Sequence, residues 1–176
     1  SPSRYQFLAG RPTEEWYRDG IRSRAMAWCR PMTSTQREIE VSYDVSNEFF
    51  ELWLDTDMHY TSASFHTGDE TLEQAQIQKC DILYDYAEIT PDTLTLDIGC
   101  GWGSNLNYLH KRGVKRAHGI TLSTAQCEWI HSRGLEGVKA IVCDYKDYEP
   151  EEKYGALQSI EMIDHLSQDG RRICVM

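Results

Sequence analysis

LDIGCGWGSN, residues 96–105, decides how the chain folds. With Leu94 and Thr95 ahead of it, its opening is an apolar run of strand length, and its end leads into a helix through Leu106 and Leu109 that stops at Gly113. A strand passing through a glycine turn into a helix is the start of a parallel crossover unit. The glycines at the junction, Gly99, Gly101 and Gly103, admit three readings. They could cradle phosphates, form the amino-acid end of a phosphate-free cofactor site, or only permit tight packing.

Downstream the alternation continues. A strand is predicted over residues 117–122, a helix capped by Ser123 and ended by Gly134, a strand over 138–143 and another over 156–160, with RRICVM at the C-terminus as a fifth. Strands alternating with helices predict an open, Rossmann-like parallel α/β sheet that binds ligand at the C-terminal strand ends. Upstream, residues 1–90 read as consecutive helices with no convincing strand. Residues 13–30 and 35–42 have helical composition, Ser46 is a predicted N-cap for NEFFELWLD, and Thr71 caps a longer helix. In that helix Leu72, Ala75, Ile82, Leu83 and Tyr86 form an apolar stripe, with the stems of Gln76 and Lys79 filling its gap. Between the last two helices lies the hydroxyl-rich aromatic stretch MHYTSASF, residues 58–65. The expected division is a helical cap segment over 1–90 and a cofactor-binding sheet domain over 91–176.

Composition narrows the class. The 176 residues are 40% hydrophobic and 26% charged, enough for one domain with a real core. No run approaches the roughly 18 apolar residues of a membrane span, and SPSRYQFLAG lacks the regions of a signal peptide, so a soluble cytoplasmic protein is expected. The six cysteines are dispersed, with neither metal-ligand nor scaffold spacing, and the six histidines are scattered; buried reduced thiols and no metal are expected. Net charge is −10, but residues 1–37 hold seven arginines against Glu14, Glu15 and Asp19, leaving an acidic body. That body should repel nucleic acid and anionic membrane.

The strand ends choose among the three readings of the glycine turn. A dinucleotide fingerprint needs GxGxxG and a carboxylate about 20 residues on. Here the spacing is GxGxG, and Ser104 stands where the last glycine belongs. Asp97 would repel a pyrophosphate but suits a cationic ammonium or sulfonium. After the second strand, GITLSTAQ offers Thr121, Ser123 and Gln126, neutral groups in place of a ribose carboxylate. After the third, CDYKDY offers Asp144 as an acceptor for an adenine amino group and Tyr145 as a ring to stack on it. Together these match S-adenosylmethionine.

The runs YDVSNEFFELWLDTDMHYTSASF, TLEQAQIQK, LDIGCGWGSN, GITLSTAQ and CDYKDY, in this order over residues 41–165, resemble the cyclopropane fatty-acid synthase family. That family includes mycolic-acid cyclopropane and methyl transferases and plant alkaloid N-methyltransferases. The resemblance implies a class I S-adenosylmethionine-dependent methyltransferase sheet with an N-terminal helical cap. It implies that Tyr43, Tyr60 and Thr61 close over the methionine part, Gly99 and Gly101 line its backbone, Thr121 and Gln126 hold the ribose, and Asp144 and Tyr145 hold the adenine. Where the family has Gly-Met-Phe-Glu-His or Glu-Met-Phe-Glu-His, this chain has EMIDH, residues 161–165. Glu161, Asp164 and His165 there suit proton removal, although Asp164 and His165 could also cap the next helix. Tyr60 suits stabilisation of a developing cation by its ring face.

Three departures bear on the activity. Ring-forming members use a cysteine in YSCAYF and the glutamate of the Glu-His pair around a bicarbonate; here Ser62 and Asp164 stand at those places. The third is length: family domains continue well past this pair, so the sheet is expected to lack its C-terminal part. A fragment, or a reduced protein completed by a partner chain such as a second copy, would account for that. The leading expectation is methyl transfer to carbon or nitrogen of a small or lipid-like acceptor, a soluble metabolite before membrane phospholipid. Cyclopropane formation on unsaturated acyl chains and a non-catalytic cofactor-binding module are the alternatives.

Overall fold

The computed structural model describes residues 7–10 and 46–162. Its elements are β1 (Phe7–Gly10), α1 (Asn47–Glu51), α2 (Leu72–Tyr86), β2 (Thr95–Ile98), α3 (Ser104–Lys111), β3 (Ala117–Thr121), α4 (Thr124–Ser132), β4 (Val138–Val142) and β5 (Ala156–Ile160). Every downstream strand and helix read from the sequence up to residue 160 is present. The helices stop where predicted, with Gly113 and Gly134 left-handed just past their last turns (φ 80° and 59°).

The strands form one sheet in the order β1-β5-β2-β3-β4. β2 to β5 run parallel, with Asp97 opposite both Gly119 of β3 and Gln158 of β5. Four parallel strands bring their C-terminal ends to one edge, where the site residues must gather.

The two sheet faces differ in side-chain size. One presents Ala117, Gly119, Ala140 and Ala156, and α2, α3 and α4 bury Cys80, Tyr84, Leu106, Leu109, Cys127 and Ile130 against it. The small strand residues let the helices approach: a Cβ at Gly119 would lie 2.7 Å from the Cys100 side chain and 2.8 Å from Leu106. The other face packs Leu94, Leu96 and Ile120 under Tyr145, Tyr148 and Tyr154. Among the described residues no helix is long and apolar enough to cross a membrane.

Four expectations change. The first ten residues are not all helical: β1 pairs antiparallel with β5, Phe7 opposite Ile160. A four-residue strand carries too little periodicity to be read locally, and the β5 edge selects it. α1 is shorter than NEFFELWLD, because Asp55 captures the backbone N–H groups of Asp57 and His59 and turns the chain. Ser46 precedes α1 without a side-chain cap, its hydroxyl serving the Glu48 carboxylate. On α2 the Thr71–Gln74 capping box is present, but the buried face is Ala75, Gln76, Lys79, Cys80, Leu83 and Tyr84, while Leu72, Ile82 and Tyr86 are exposed. The face has rotated toward two polar side chains, which is explained by what they bond. The expected helices over 13–30 and 35–42 and the strand RRICVM lie outside the described residues.

Candidate functional site

The glycine turn does two jobs. Gly99, Gly101 and Gly103 are all left-handed (φ 79°, 54° and 76°), a conformation that only glycine adopts without strain. At Gly99 a Cβ would lie 2.6 Å from Met162, and at Gly103 2.6 Å from Ile130, so these two serve close packing. At Gly101 nothing among the described residues lies within 4 Å of the Cβ position. The side-chain direction is thus filled by Met162 at Gly99 and open at Gly101 among the described residues.

Asp97, next to the last residue of β2, is 2% exposed. Its Oδ2 accepts from Asn105 Nδ2 at 3.2 Å, and Asn105 is held in turn by Gln158 Oε1 at 2.9 Å. Among the described residues Asp97 Oδ1 has no hydrogen-bond partner. Burial raises this carboxyl to about 6, with the Asn105 hydrogen bond and the Lys79 charge acting against the rise. A buried carboxylate with one open oxygen is an acceptor waiting for a donor or a cation.

The stretch over residues 58–65 is fastened beside this turn from three sides. Asp57 accepts from Asn107 Nδ2 (2.7 Å) and Lys111 Nζ (2.7 Å), tying the segment to α3. Gln76 Nε2 donates to the Thr61 carbonyl (2.8 Å), and Lys79 Nζ donates to Thr61 Oγ1 (2.6 Å) and Gln76 Oε1 (2.5 Å). Ser62 donates both its backbone N–H (2.9 Å) and its hydroxyl to Glu161 Oε1. Glu161 follows β5 with a left-handed backbone (φ 59°), a strained conformation for a residue with a side chain and one that gathers at functional sites. Tyr60, about half exposed, meets Phe50, Trp53 and Trp102 with ring centroids 5.6 to 5.9 Å away. Trp102, from the glycine turn itself, donates to Asn47 Oδ1 at 2.9 Å and draws α1 over it. Phe49, Leu52, Trp53, Tyr60 and Phe65 leave an exposed apolar rim in this part of the chain.

At the end of β3, Thr121 Oγ1 donates to Gln126 Oε1 (2.7 Å) and accepts from the Ser123 N–H (3.2 Å). The two expected ribose-holding residues thus stand together, each buried. Past β4, Asp144 accepts the Lys146 N–H (3.0 Å) and remains partly exposed. Tyr145 packs toward the Leu94–Ile120 face, with the Lys146 ammonium 5.5 Å from its ring. Tyr43, Asp164 and His165 lie outside the described residues. Among the described residues no cluster of three histidine, cysteine or acidic side chains is placed to hold a metal.

Sequence reasoning missed Lys79 and Gln76 as site residues and read them as filler. Their signal was present, two polar residues three apart on the face that α2 must bury. It was masked by the apolar residues beside them.

An unpartnered buried carboxylate oxygen and, four residues on, a glycine with free space at its Cβ position fit a ligand end that carries a positive charge and no phosphate. The neutral Thr121–Gln126 pair and the Asp144 acceptor at neighbouring strand ends fit a longer molecule laid across the sheet edge.

Comparison with known proteins places the chain in a family. The family model described as mycolic acid cyclopropane synthetase matches residues 31–172. A probable fatty acid methyltransferase of Pseudomonas putida is 35% identical over 133 residues, covering 73% of this chain and 34% of the relative. A mycolic acid cyclopropane synthase crystallised with SAH and CTAB superposes with a TM-score of 0.62 at 27% identity, over 67% of this chain and 43% of that one. Coclaurine N-methyltransferase bound to N-methylheliamine and SAH gives 0.58 at 27% identity, over 62% and 34%. The chain spans about a third of the length of the curated relatives it matches.

Proposed function

The chain belongs to the mycolic acid cyclopropane synthetase family, and on that premise we propose that it is an S-adenosylmethionine-dependent methyltransferase acting on a small or lipid-like acceptor. The observations that carry the reading are the buried Asp97 Oδ1, unpartnered among the described residues, and the open Cβ position at Gly101 four residues on. The carboxylate suits the ammonium of an amino-acid end and would repel a pyrophosphate.

When bound, S-adenosylmethionine supplies a methyl group made electrophilic by its sulfonium. The protein's part is orientation and exclusion of water. In this reading Asp97 holds the ammonium, Gly101 lets the chain approach, and Tyr43, Tyr60 and Thr61 close over the methionine part. Thr121 and Gln126 hold the ribose, and Asp144 holds the adenine, with Tyr145 lending at most an edge because its ring is engaged with the core. Tyr60, backed by Phe50, Trp53 and Trp102, offers ring faces to positive charge at the acceptor. Glu161, Asp164 and His165 are the proposed proton acceptors. Ser62, whose backbone N–H and hydroxyl both donate to Glu161 Oε1, fixes the direction of that carboxylate.

The apolar rim of Phe49, Leu52, Trp53 and Phe65 supports an acceptor with hydrocarbon surface, and the relatives' bound N-methylheliamine and CTAB are in keeping with that. A reducing, cytoplasmic location goes with this reading, since Cys80, Cys100, Cys127 and Cys143 are free thiols.

The test is a mass-spectrometric screen with methyl-labelled S-adenosylmethionine and amine and alkene acceptors. A product heavier by one methylene that carries the label is expected. An alkene product that gains the methylene but loses its double bond without a methyl branch would mean ring formation instead. Cofactor binding with no product from any acceptor would favour the non-catalytic module.

A further inference from the structure

Lys79 sits on α2 at 0% exposure. Enclosing an ammonium removes its hydration, at a cost of several kcal/mol unless an anion and hydrogen bonds replace the water. Two of its three N–H groups are used, and both acceptors, Thr61 Oγ1 and Gln76 Oε1, are neutral. Among the described residues no third acceptor and no ion-paired carboxylate is present.

Three carboxylates are near enough for their fields to reach it: Glu161, Asp55 and Asp97. Asp55 is engaged elsewhere through both oxygens and Glu161 through one. Asp55 accepts from the His59 N–H (2.6 Å) and from His59 Nδ1 (2.9 Å), and that ring's Nε2 lies 3.5 Å from the Cys80 sulfur. Glu161 Oε1 takes both donors of Ser62. Asp97 is bonded to Asn105 through Oδ2, and among the described residues its buried Oδ1 has no partner.

The site therefore holds a buried cation with a donor to spare and a buried anion with an acceptor to spare, and the two do not bond each other. A zwitterion placed between them would satisfy both. An α-amino acid is the smallest such group, with its ammonium and carboxylate on one carbon. We propose that Lys79 recognises the α-carboxylate of the cofactor's amino-acid end, opposite Asp97 on the ammonium, with Gln76 and Thr61 fixing the direction of the lysine. This rests on the cofactor reading above and adds to it a specificity: the site takes the intact amino acid and rejects the decarboxylated form.

Calorimetric titration of S-adenosylhomocysteine and of its decarboxylated analogue, into the wild-type protein and Lys79→Met, tests the assignment. A charge-assisted hydrogen bond corresponds to about 10- to 100-fold in affinity. The wild type should prefer S-adenosylhomocysteine by that factor. Lys79→Met should lose the preference, with the decarboxylated analogue bound within about twofold of wild type. An equal loss for both ligands, or a preference that survives the substitution, overturns the assignment while leaving the cofactor reading intact. If wild type binds neither ligand, the cofactor reading falls and takes this one with it. Should Lys79→Met not fold, the Nζ resonance of Lys79 in 15N-lysine-labelled protein, assigned through Lys79→Arg, decides. It should move with S-adenosylhomocysteine and stay with the decarboxylated analogue, and equal movement with both contradicts the proposal.

Discussion

Asp97 carries opposite consequences for stability and for binding. Its carboxyl is raised to about 6 by burial, so ionising it opposes folding. The contribution is most favourable below the ordinary carboxylate range, is lost as pH rises through about 6, and stays lost above that. At pH 7, Asp97→Asn should therefore stabilise the ligand-free protein, by on the order of 1–3 kcal/mol. The same change should weaken cofactor binding by tenfold or more, as paired thermal melts and titrations would show. Destabilisation accompanied by unchanged binding would mean that Asp97 is only a packing residue. At Gly101 the open Cβ position and the left-handed backbone (φ 54°) act separately. Gly101→Val should cost about 2 kcal/mol from the backbone alone. It should also abolish cofactor binding in protein that remains folded by circular dichroism.

Helix α2 shows how far an element can be read from its residues. Its start was fully legible, because Thr71 and Gln74 form a local capping box that depends on nothing distant. Its facing was not. Leucine, isoleucine and tyrosine suggested one stripe, whereas the helix turns Gln76 and Lys79 inward to reach Thr61, a partner remote in sequence. The two faces make different predictions. Leu83→Ala should cost about 2–5 kcal/mol in denaturant unfolding, and Ile82→Ala, at an exposed position, less than about 1. Equal costs would favour the stripe read from the sequence. Thr71→Ala should cost about 1 kcal/mol and leave the site unchanged. β1 was illegible for a related reason, since a four-residue strand is chosen by the edge it joins.

At the scale of the whole molecule, the parallel sheet was legible because each unit announces itself locally: an apolar run, a glycine or Ser123 at the turn, a helix, a terminating glycine. The sheet then does what no single unit could, aligning Asp97, Thr121, Asp144 and Glu161 along one edge. The strand-end residues were thus readable by order alone. The contacts that close the site, Trp102 to Asn47, Ser62 to Glu161 and Lys79 to Thr61, join segments 18 to 99 residues apart and needed the fold to be seen.

The central claim is that this edge holds the charged amino-acid end of S-adenosylmethionine against an ionised Asp97. The most direct measurement is the affinity of S-adenosylhomocysteine as a function of pH. The account expects saturable one-to-one binding at pH 7.5 that weakens about tenfold by pH 5, as Asp97 takes up its proton near 6, and no such dependence in Asp97→Asn. No binding at any pH, or the same pH dependence with and without the Asp97 carboxylate, would contradict it.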